Sequence, residues 1–289
     1  MAQFKVETGA LDPKISSHYE VMMLANNAAG DIVTNNNPLP VSLVNTNTTL
    51  NAPWELQVVR GKVTGVTPIN VFGYSTSVGS SFVPLWGNGS TYNFPATANT
   101  LTLVSDSTSD NANASVLISG VDSSWNVLNE VISLNGTSPV TTSNTFLRIN
   151  SFALASPGTS QTTNVGNITA TNGGVTYAYM GAGIGKMQNS WYSVPNGFTF
   201  YLNQIQSFGD NTTGNSFGQF RARITNNNVA RPVTFTLLQT AFQTTYGIQR
   251  VAPVSYSQKT DIQWQFSTNS GTHAMACIVE GILIDNNLP

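Results

Sequence analysis

The residue types that most often carry catalysis are scarce in this sequence. It contains two histidines, His18 and His273, and one cysteine, Cys277. Histidine is the commonest general base, and a nucleophilic cysteine needs a base beside it. His18 lies in the N-terminal region and His273 in a polar turn, so both are interpreted as surface residues. Cys277 lies in a strand-like segment, where a free cysteine is usually an inert small apolar side chain.

A glycine-rich run, residues 181–186, has some features of a phosphate-binding loop. That motif needs a glycine at its start and a serine or threonine after its lysine. Met180 and Met187 stand at those two positions. The run is therefore interpreted as a turned connection between two β regions.

Acidic residues are few, and one cluster contains oxygen ligands. Asp106 and Asp110, with Asn111 and Asn113, form an oxygen-rich segment. Calcium takes six to eight oxygen ligands, so the segment has suitable chemistry for it. The same residue types are the ordinary material of turns. Whether Asp106 and Asp110 bind calcium is left open by the sequence.

The remaining carboxylates give no sign of glycan hydrolysis. That reaction uses two carboxyl groups about 5 to 10 Å apart. Glu55, Asp122, Glu130 and Asp210 are scattered along the chain and suggest no pair. The sequence therefore predicts a protein that is not an enzyme, with no catalytic residues, no cofactor and no bound metal.

Aromatic residues outside the strand-like segments are candidates for sugar binding. A sugar's CH faces pack on aromatic rings, and nearby amide groups bind its hydroxyls. Trp86, within Leu85-Trp86-Gly87-Asn88-Gly89, and Tyr92 are the predicted glycan contacts. Trp54, Trp191 and Trp264 lie in strand-like segments and are expected in the core.

The composition excludes several classes of function. The 289 residues are 40% hydrophobic but only 8% charged, with 11 basic and 13 acidic residues and a net charge of −2. This charge provides no basic surface for nucleic acid or for an anionic membrane. Disordered chains combine low hydrophobicity with high net charge, which this chain lacks. A single cysteine excludes an intrachain disulfide and fits a reducing compartment.

No segment of the sequence resembles a membrane span or a secretory signal. A transmembrane helix needs about 20 consecutive apolar residues. The most apolar late stretch, residues 274–284, is interrupted by Glu280. The first residues carry Lys5 and Glu7 and are followed by no apolar region of a signal peptide.

Short segments of alternating apolar and polar residues indicate β-strands throughout the chain. Such alternation, bounded by Gly, Pro, Asn and Ser, is typical of antiparallel sheets with one buried face. In the first half, the predicted strands are residues 54–66, 69–74, 100–105, 114–119, 127–134 and 146–154. In the second half, they are residues 191–194, 198–205, 217–224, 233–238, 261–266 and 275–284.

Two local features of the second half carry more detailed predictions. Pro195-Asn196-Gly197 is a turn signal between two strands and predicts a hairpin. In the segment 217–224, the alternation predicts that Phe220, Ala222 and Ile224 face the core. Arg221 and Arg223 then face away from it.

The sequence predicts an all-β protein of antiparallel β-sandwich or jelly-roll units with an extended N-terminal arm. Residues 1–50 are predicted to form the arm, because their short apolar pieces are separated by asparagine and proline. An arm laid on a neighbouring subunit would satisfy its backbone there; the alternative is a poorly ordered tail. Residues 51–185 and 186–289 are predicted to form two sandwich domains, the second of them jelly-roll-like. The sequence does not exclude one larger sandwich.

A series of motifs between residues 54 and 208 resembles a known family. It includes residues 60–66, 72–74, 85–86, 92–95, 105–110, 118–122, 129–137, 140–142 and 192–198. The resemblance is strongest at Val140-Thr141-Thr142, Phe146-Leu147-Arg148-Ile149-Asn150 and Asn164-Val165-Gly166-Asn167-Ile168-Thr169. Together these motifs resemble a family of structural virion proteins of tailed bacteriophages, many of them marine or infecting cyanobacteria.

The resemblance implies a capsid decoration, head-fibre or tail-associated protein, made in the host bacterial cytoplasm and located in the virion. The expected function is a non-enzymatic component that self-associates on the particle exterior, as a cement or decoration subunit or a capsid-attached fibre. The expected partners are copies of itself, with a trimer as the guess, and other virion proteins such as the major capsid protein. The alternative is a tail- or fibre-associated module that binds a host-surface glycan.

Overall fold

The computed structural model describes residues 53–89, 91–111, 113–210 and 216–288. The predicted arm over residues 1–50 and His18 lie outside these residues. Trp54–Pro289 form one compact unit. Every strand pairing in the described part of the chain is antiparallel, so the prediction of an all-β, antiparallel protein is confirmed.

The described residues form a short helix followed by strands. The elements are α1 (Trp54–Val59), β1 (Val66–Val78), β2 (Val83–Pro84), β3 (Thr102–Ser105), β4 (Ser115–Val121), β5 (Val127–Ser133), β6 (Val140–Thr141), β7 (Arg148–Ser156), β8 (Ile168–Asn172), β9 (Val175–Met180), β10 (Trp191–Ser193), β11 (Phe198–Gly209), β12 (Gly218–Asn226), β13 (Val233–Phe242), β14 (Thr245–Tyr256), β15 (Thr260–Thr268) and β16 (His273–Asp285).

The helix α1 is a correction, because the sequence predicted a strand over residues 54–66. Glu55 in the first turn is favourable near the positive end of the helix dipole. The helix ends at Val59 and is followed by Gly61, whose φ of 66° allows the Lys62 amide to donate back to the Gln57 carbonyl. Only Val58 of the helix is buried. The alternation there was too irregular to decide between helix and strand.

The other predicted strands are present, and the face predicted for β12 is correct. Phe220, Ala222 and Ile224 are buried, whereas Arg221 and Arg223 on the opposite face are only partly buried. Period-two alternation locates a strand's buried face because successive side chains point to opposite sides of the sheet.

Two sheets pack face to face as the larger sandwich. One sheet has the strand order β1-β16-β11-β14, and the other has the order β10-β15-β12-β13, with β2 also pairing with β15. A single cluster of buried apolar side chains takes residues from both sheets, including Phe200 and Val279 from the first and Phe220 and Trp264 from the second. The core therefore lies between the sheets, as in other sandwiches.

The chain between β2 and β10 forms a smaller sandwich. Its sheets have the orders β6-β3-β8-β9 and β5-β4-β7. A second apolar cluster fills the space between them, with Leu103, Ile118, Phe152 and Ala178 fully buried. This sandwich is therefore an insertion between two strands that both pair with β15.

Strand β10 joins the two sandwiches. Trp191 belongs to the core of the smaller sandwich, and its neighbour Tyr192 belongs to the core of the larger one. Adjacent side chains of a strand point to opposite faces. The three-residue strand β10 therefore contributes a side chain to each of the two cores. The predicted domain ranges 51–185 and 186–289 stay a prediction. Across that boundary, β1 pairs with β16.

The predicted hairpin at Pro195-Asn196-Gly197 is wrong. Gly197 has a φ of 81°, as expected for a tight turn. However, β10 pairs with β15 in one sheet, whereas β11 pairs with β14 and β16 in the other. The turn therefore carries the chain from one sheet to the other. A turn signal predicts a change of direction, and the partners of the flanking strands are set by the distant sequence.

Candidate functional site

Trp86 and Tyr92, the predicted glycan contacts, lie inside the smaller sandwich. Each residue is 2% exposed. Tyr92 stacks on Trp191 with 3.8 Å between ring centroids, and Trp86 packs edge-on against both rings at 5.3 and 5.5 Å. The expectation that these two rings are exposed is wrong. They are core residues, and the cluster stabilises the junction at β10.

Burial also sets the chemistry of the Tyr92 phenol. Its hydroxyl has no hydrogen-bond partner among the described residues. Burial raises the pKa of Tyr92 well above its ordinary value, and the nearby Arg148 opposes this shift. The phenol is therefore neutral at physiological pH and closed to a ligand in this conformation.

An ion pair between Arg148 and Asp261 connects the two sandwiches. Arg148 lies on β7 of the smaller sandwich, and Asp261 lies on β15 of the larger one. The guanidinium donates from Nε to Oδ1 at 3.0 Å and from Nη2 to Oδ2 at 2.9 Å. Both side chains are almost fully buried. This two-bond geometry is the strongest form of an arginine–carboxylate contact.

The remaining polar groups around this ion pair are also satisfied. Asp261 accepts further hydrogen bonds from the Ser193 hydroxyl and the Asn227 amide. Arg148 donates to the backbone carbonyls of Pro95 and Leu147. A buried ion pair is tolerated only when its polar atoms find partners, and here they do.

Two aromatic rings enclose the Arg148 guanidinium. Its central carbon lies 4.9 Å from the Phe94 ring centroid and 5.1 Å from the Trp125 ring centroid. Trp125 adopts a φ of 69°, which is rare for a large side chain. Such strain persists only where the surroundings impose it. The Trp125 carbonyl also accepts from the Asn196 amide in the turn before β11.

Asp106 and Asp110 bind backbone amides. Asp110 accepts from the amides of Val165 and Gly166, and Asp106 accepts from the backbone and side-chain amides of Asn167. These carboxylates fasten the loop after β3 to the loop before β8. The other scattered acids act similarly: Asp122 and Glu130 each accept from backbone amides of nearby loops. No metal-binding group of three His, Cys, Asp or Glu residues occurs among the described residues.

Ser216, His273 and Asp210 form a triad-like cluster that the sequence reasoning missed. The His273 ring lies 2.8 Å from the Ser216 hydroxyl through Nε2 and 3.1 Å from the Asp210 carboxylate through Nδ1. Serine hydrolases use this order of groups. Ser216 is the centre of Gly-Asn-Ser-Phe-Gly at 214–218, which has the spacing of a nucleophile motif and was the available signal.

Two features of the cluster oppose catalysis. Ser216 is 6% exposed, so a substrate has little access to it. The amide of Phe217, which would follow the nucleophile, donates to the Asn269 side chain at 2.7 Å. An oxyanion hole needs such an amide directed at the substrate. We therefore assign the cluster a role in fastening the start of β16 to the segment before β12.

The structure also locates Cys277 and the glycine-rich run of residues 181–186. Cys277 is buried in β16, and burial raises the pKa of its thiol to about 12, which makes it unreactive. The glycine-rich run 181–186 forms a turn between β9 and β10, as predicted. Among the described residues, no helix is long and apolar enough to cross a membrane.

The free edges of the larger sandwich differ in how they are protected. Edge strand β1 contains Pro68, and edge strand β14 contains Pro253 beside a register shift. Proline lacks an amide hydrogen and blocks strand addition. Edge strand β13, Val233–Phe242, has neither proline nor charge, and Val233 and Phe235 are 57% and 45% exposed. Natural proteins usually protect such an edge.

The comparisons with known proteins return nothing: no family model, no curated protein and no solved structure matches this chain. The resemblance to phage virion proteins therefore rests on the quoted motifs alone.

Removing one partner of the Arg148–Asp261 pair is expected to destabilise the whole chain. Arg148→Met leaves the Asp261 carboxylate buried without its cation and should lower the free energy of unfolding by about 3–5 kcal/mol. The double variant Arg148→Met/Asp261→Leu should recover part of this loss, because no unpaired charge remains. Urea titration followed by tryptophan fluorescence measures both. Arg223→Met, at a half-buried arginine, is the control and should change the free energy by about 0.5 kcal/mol or less. Equal effects of Arg148→Met and Arg223→Met would contradict the assignment.

Proposed function

We propose that this protein is a non-enzymatic structural component of a tailed-phage virion that self-associates on the particle exterior. The observation that carries the proposal is edge strand β13, whose sequence contains neither proline nor a charged residue. A long uncharged edge with exposed apolar side chains is a template for another chain. The motif resemblance supplies the virion setting. Of the locations in the virion that the resemblance implies, we favour a capsid decoration, cement subunit or capsid-attached fibre. A subunit at these locations is present in many copies that contact one another.

The strand order of the larger sandwich supports this proposal. Taking β2 and β10 as two parts of one strand, the sheets contain four strands each, in the orders β1-β16-β11-β14 and β10-β15-β12-β13. In chain order, labelling these eight strands B to I gives B-I-D-G and C-H-E-F. This order matches the strand order of a jelly roll, an architecture that viral capsid proteins and lectin domains use. We therefore propose a jelly roll whose second strand is interrupted by the smaller sandwich.

The composition also fits repeated contacts between copies. Only 8% of the residues are charged. Desolvating a charge at an interface is costly unless it is paired, so an amide- and hydroxyl-rich surface is cheaper to bury. Association stabilises the folded state by mass action, which suits a chain with one cysteine and hence no intrachain disulfide.

Charge on β13 is expected to prevent self-association. Native mass spectrometry of the full chain should show an oligomer, for which a trimer is our guess. Val233→Lys and Phe235→Lys should shift it to the monomer, because lysine on an edge strand opposes pairing with another chain. Val175→Lys on β9, at a valine that is 50% exposed, is the matched control and should leave the oligomer intact. A monomeric natural chain, or assembly that survives both β13 variants, would count against this edge. Thermal unfolding checks that each variant is folded.

Labelled antibody against the full chain should decorate the outside of the phage particle. We expect electron micrographs of purified particles of the encoding phage to show label in many copies on the capsid. Label only at the tail would move the protein to the alternative location. A particle without the chain would overturn the virion role altogether.

The serine cluster is expected to be inert toward a fluorophosphonate probe. Such probes label serines activated by a histidine base beside an oxyanion hole. The Phe217 amide is occupied by its hydrogen bond to the Asn269 side chain, and Ser216 is buried. We therefore expect no labelling of the folded chain. Labelling that disappears in Ser216→Ala but persists in the Ser270→Ala control would refute the non-enzymatic assignment.

A further inference from the structure

A cleft of about 690 Å³ lies where the two sandwiches meet. One wall is edge strand β1 of the larger sandwich, and another is formed by β4, β5 and β7 of the smaller one. The segment 184–189, which returns to β10, closes one end. This volume falls within the roughly 300–1,000 Å³ of small-molecule sites.

The cleft combines apolar surface with amide groups. Its apolar side chains include Phe72, Val127 and Ile184, and all three are substantially exposed. Phe72 is 41% exposed, which is high for an aromatic ring in a strand. Amide side chains from β5 and the closing segment, Asn129 and Gln188, share the same space. An aromatic face with nearby amides suits a ligand that has both CH faces and hydroxyl groups.

The charges on the residues that line the cleft indicate which class of ligand it could bind. Among its lining residues, Lys186 is the only one with a charged side chain. A multiply charged ligand such as a nucleotide would need several cationic groups or a helix N-terminus, and neither lines the cleft. A neutral ligand loses no charge hydration on entry. The chemistry therefore favours a neutral, polyhydroxylated molecule.

The backbone of β1 argues against an extended peptide. The Phe72 carbonyl already accepts from the Asn189 amide at 2.9 Å, so the closing segment occupies the edge there. Further along the edge, Pro68 has no amide hydrogen to offer. A peptide that added as a strand would therefore find few backbone partners.

We propose that this cleft binds a neutral saccharide. The sugar's CH faces pack on Phe72 with Val127 and Ile184, and its hydroxyls bind the amides of Asn129 and Gln188. The buried rings of Trp86 and Tyr92 take no part. The site does not depend on the virion role or on self-association, because none of these residues lies on β13.

Binding is tested with the full chain on an array of neutral and acidic oligosaccharides, followed by saturation-transfer NMR with the array's best neutral oligosaccharide. We expect binding of at least one neutral oligosaccharide, with saturation of its CH protons. Phe72→Ala and the double variant Asn129→Ala/Gln188→Ala should each weaken binding about tenfold or more, equivalent to about 1.4 kcal/mol.

Matched controls separate loss of binding from loss of structure. Phe208→Ala on β11 removes a ring that is 38% exposed and lies outside the cleft, and it should bind like the natural chain. Thermal unfolding confirms that the variants are folded.

Three outcomes would overturn the proposal. These are no neutral ligand on the array, binding that survives both cleft variants, and binding of acidic oligosaccharides alone that is lost in Lys186→Gln. A monomer in native mass spectrometry would instead contradict the proposed self-association and leave the cleft unaffected.

Discussion

One buried ion pair fixes a contact between two sandwiches that have separate apolar cores. Arg148 and Asp261 are 113 residues apart in sequence, yet their side chains meet through two hydrogen bonds. Two charges removed from water gain little net stability, but they match only one relative position of the strands that carry them. The pair therefore chiefly specifies the position of β7 relative to β15. The Phe94 and Trp125 rings on the guanidinium keep water from it, and the strained backbone of Trp125 shows how tightly this position is specified.

The shape of the cleft depends on further contacts where the two sandwiches meet. Two residues beyond Arg148, Asn150 exchanges two hydrogen bonds with Ser193 on β10, and the Trp191 indole donates to the Ile149 carbonyl. These bonds hold β7 beside β10, so the wall formed by the smaller sandwich stays in place against β1. A site between two rigid sheets is preorganised, and a ligand pays little to order it.

The alternation of apolar and polar residues made much of the fold predictable from the sequence. The candidate site depends on contacts between residues far apart in sequence, so it could not be predicted. The alternation around Phe220 and Ile224 is a property of adjacent residues, so it revealed both the strand and its buried face. Trp86 is followed by Gly87 and Gly89, which indicate a surface turn, but its burial depends on Trp191 about a hundred residues later. Pro195-Asn196-Gly197 similarly indicates a turn without specifying its strand partners. For Ser216, the spacing signal was in the sequence, but only the structure shows that His273 and Asp210 reach it.

The edges of the larger sandwich differ in their protection against strand addition. Pro68 and Pro253 block two edges, and the closing segment covers part of β1, so unwanted strand addition is prevented there. In contrast, β13 keeps an uncharged edge with exposed Val233 and Phe235. An uncharged edge with exposed apolar side chains makes a monomer prone to aggregation and is a template for pairing with another chain. Asp106, Asp110 and Asp261 each accept hydrogen bonds from neighbouring groups of the fold. Among the described residues, edge strand β13 and the cleft beside β1 are therefore the two surfaces on which the proposed self-association and saccharide binding rest.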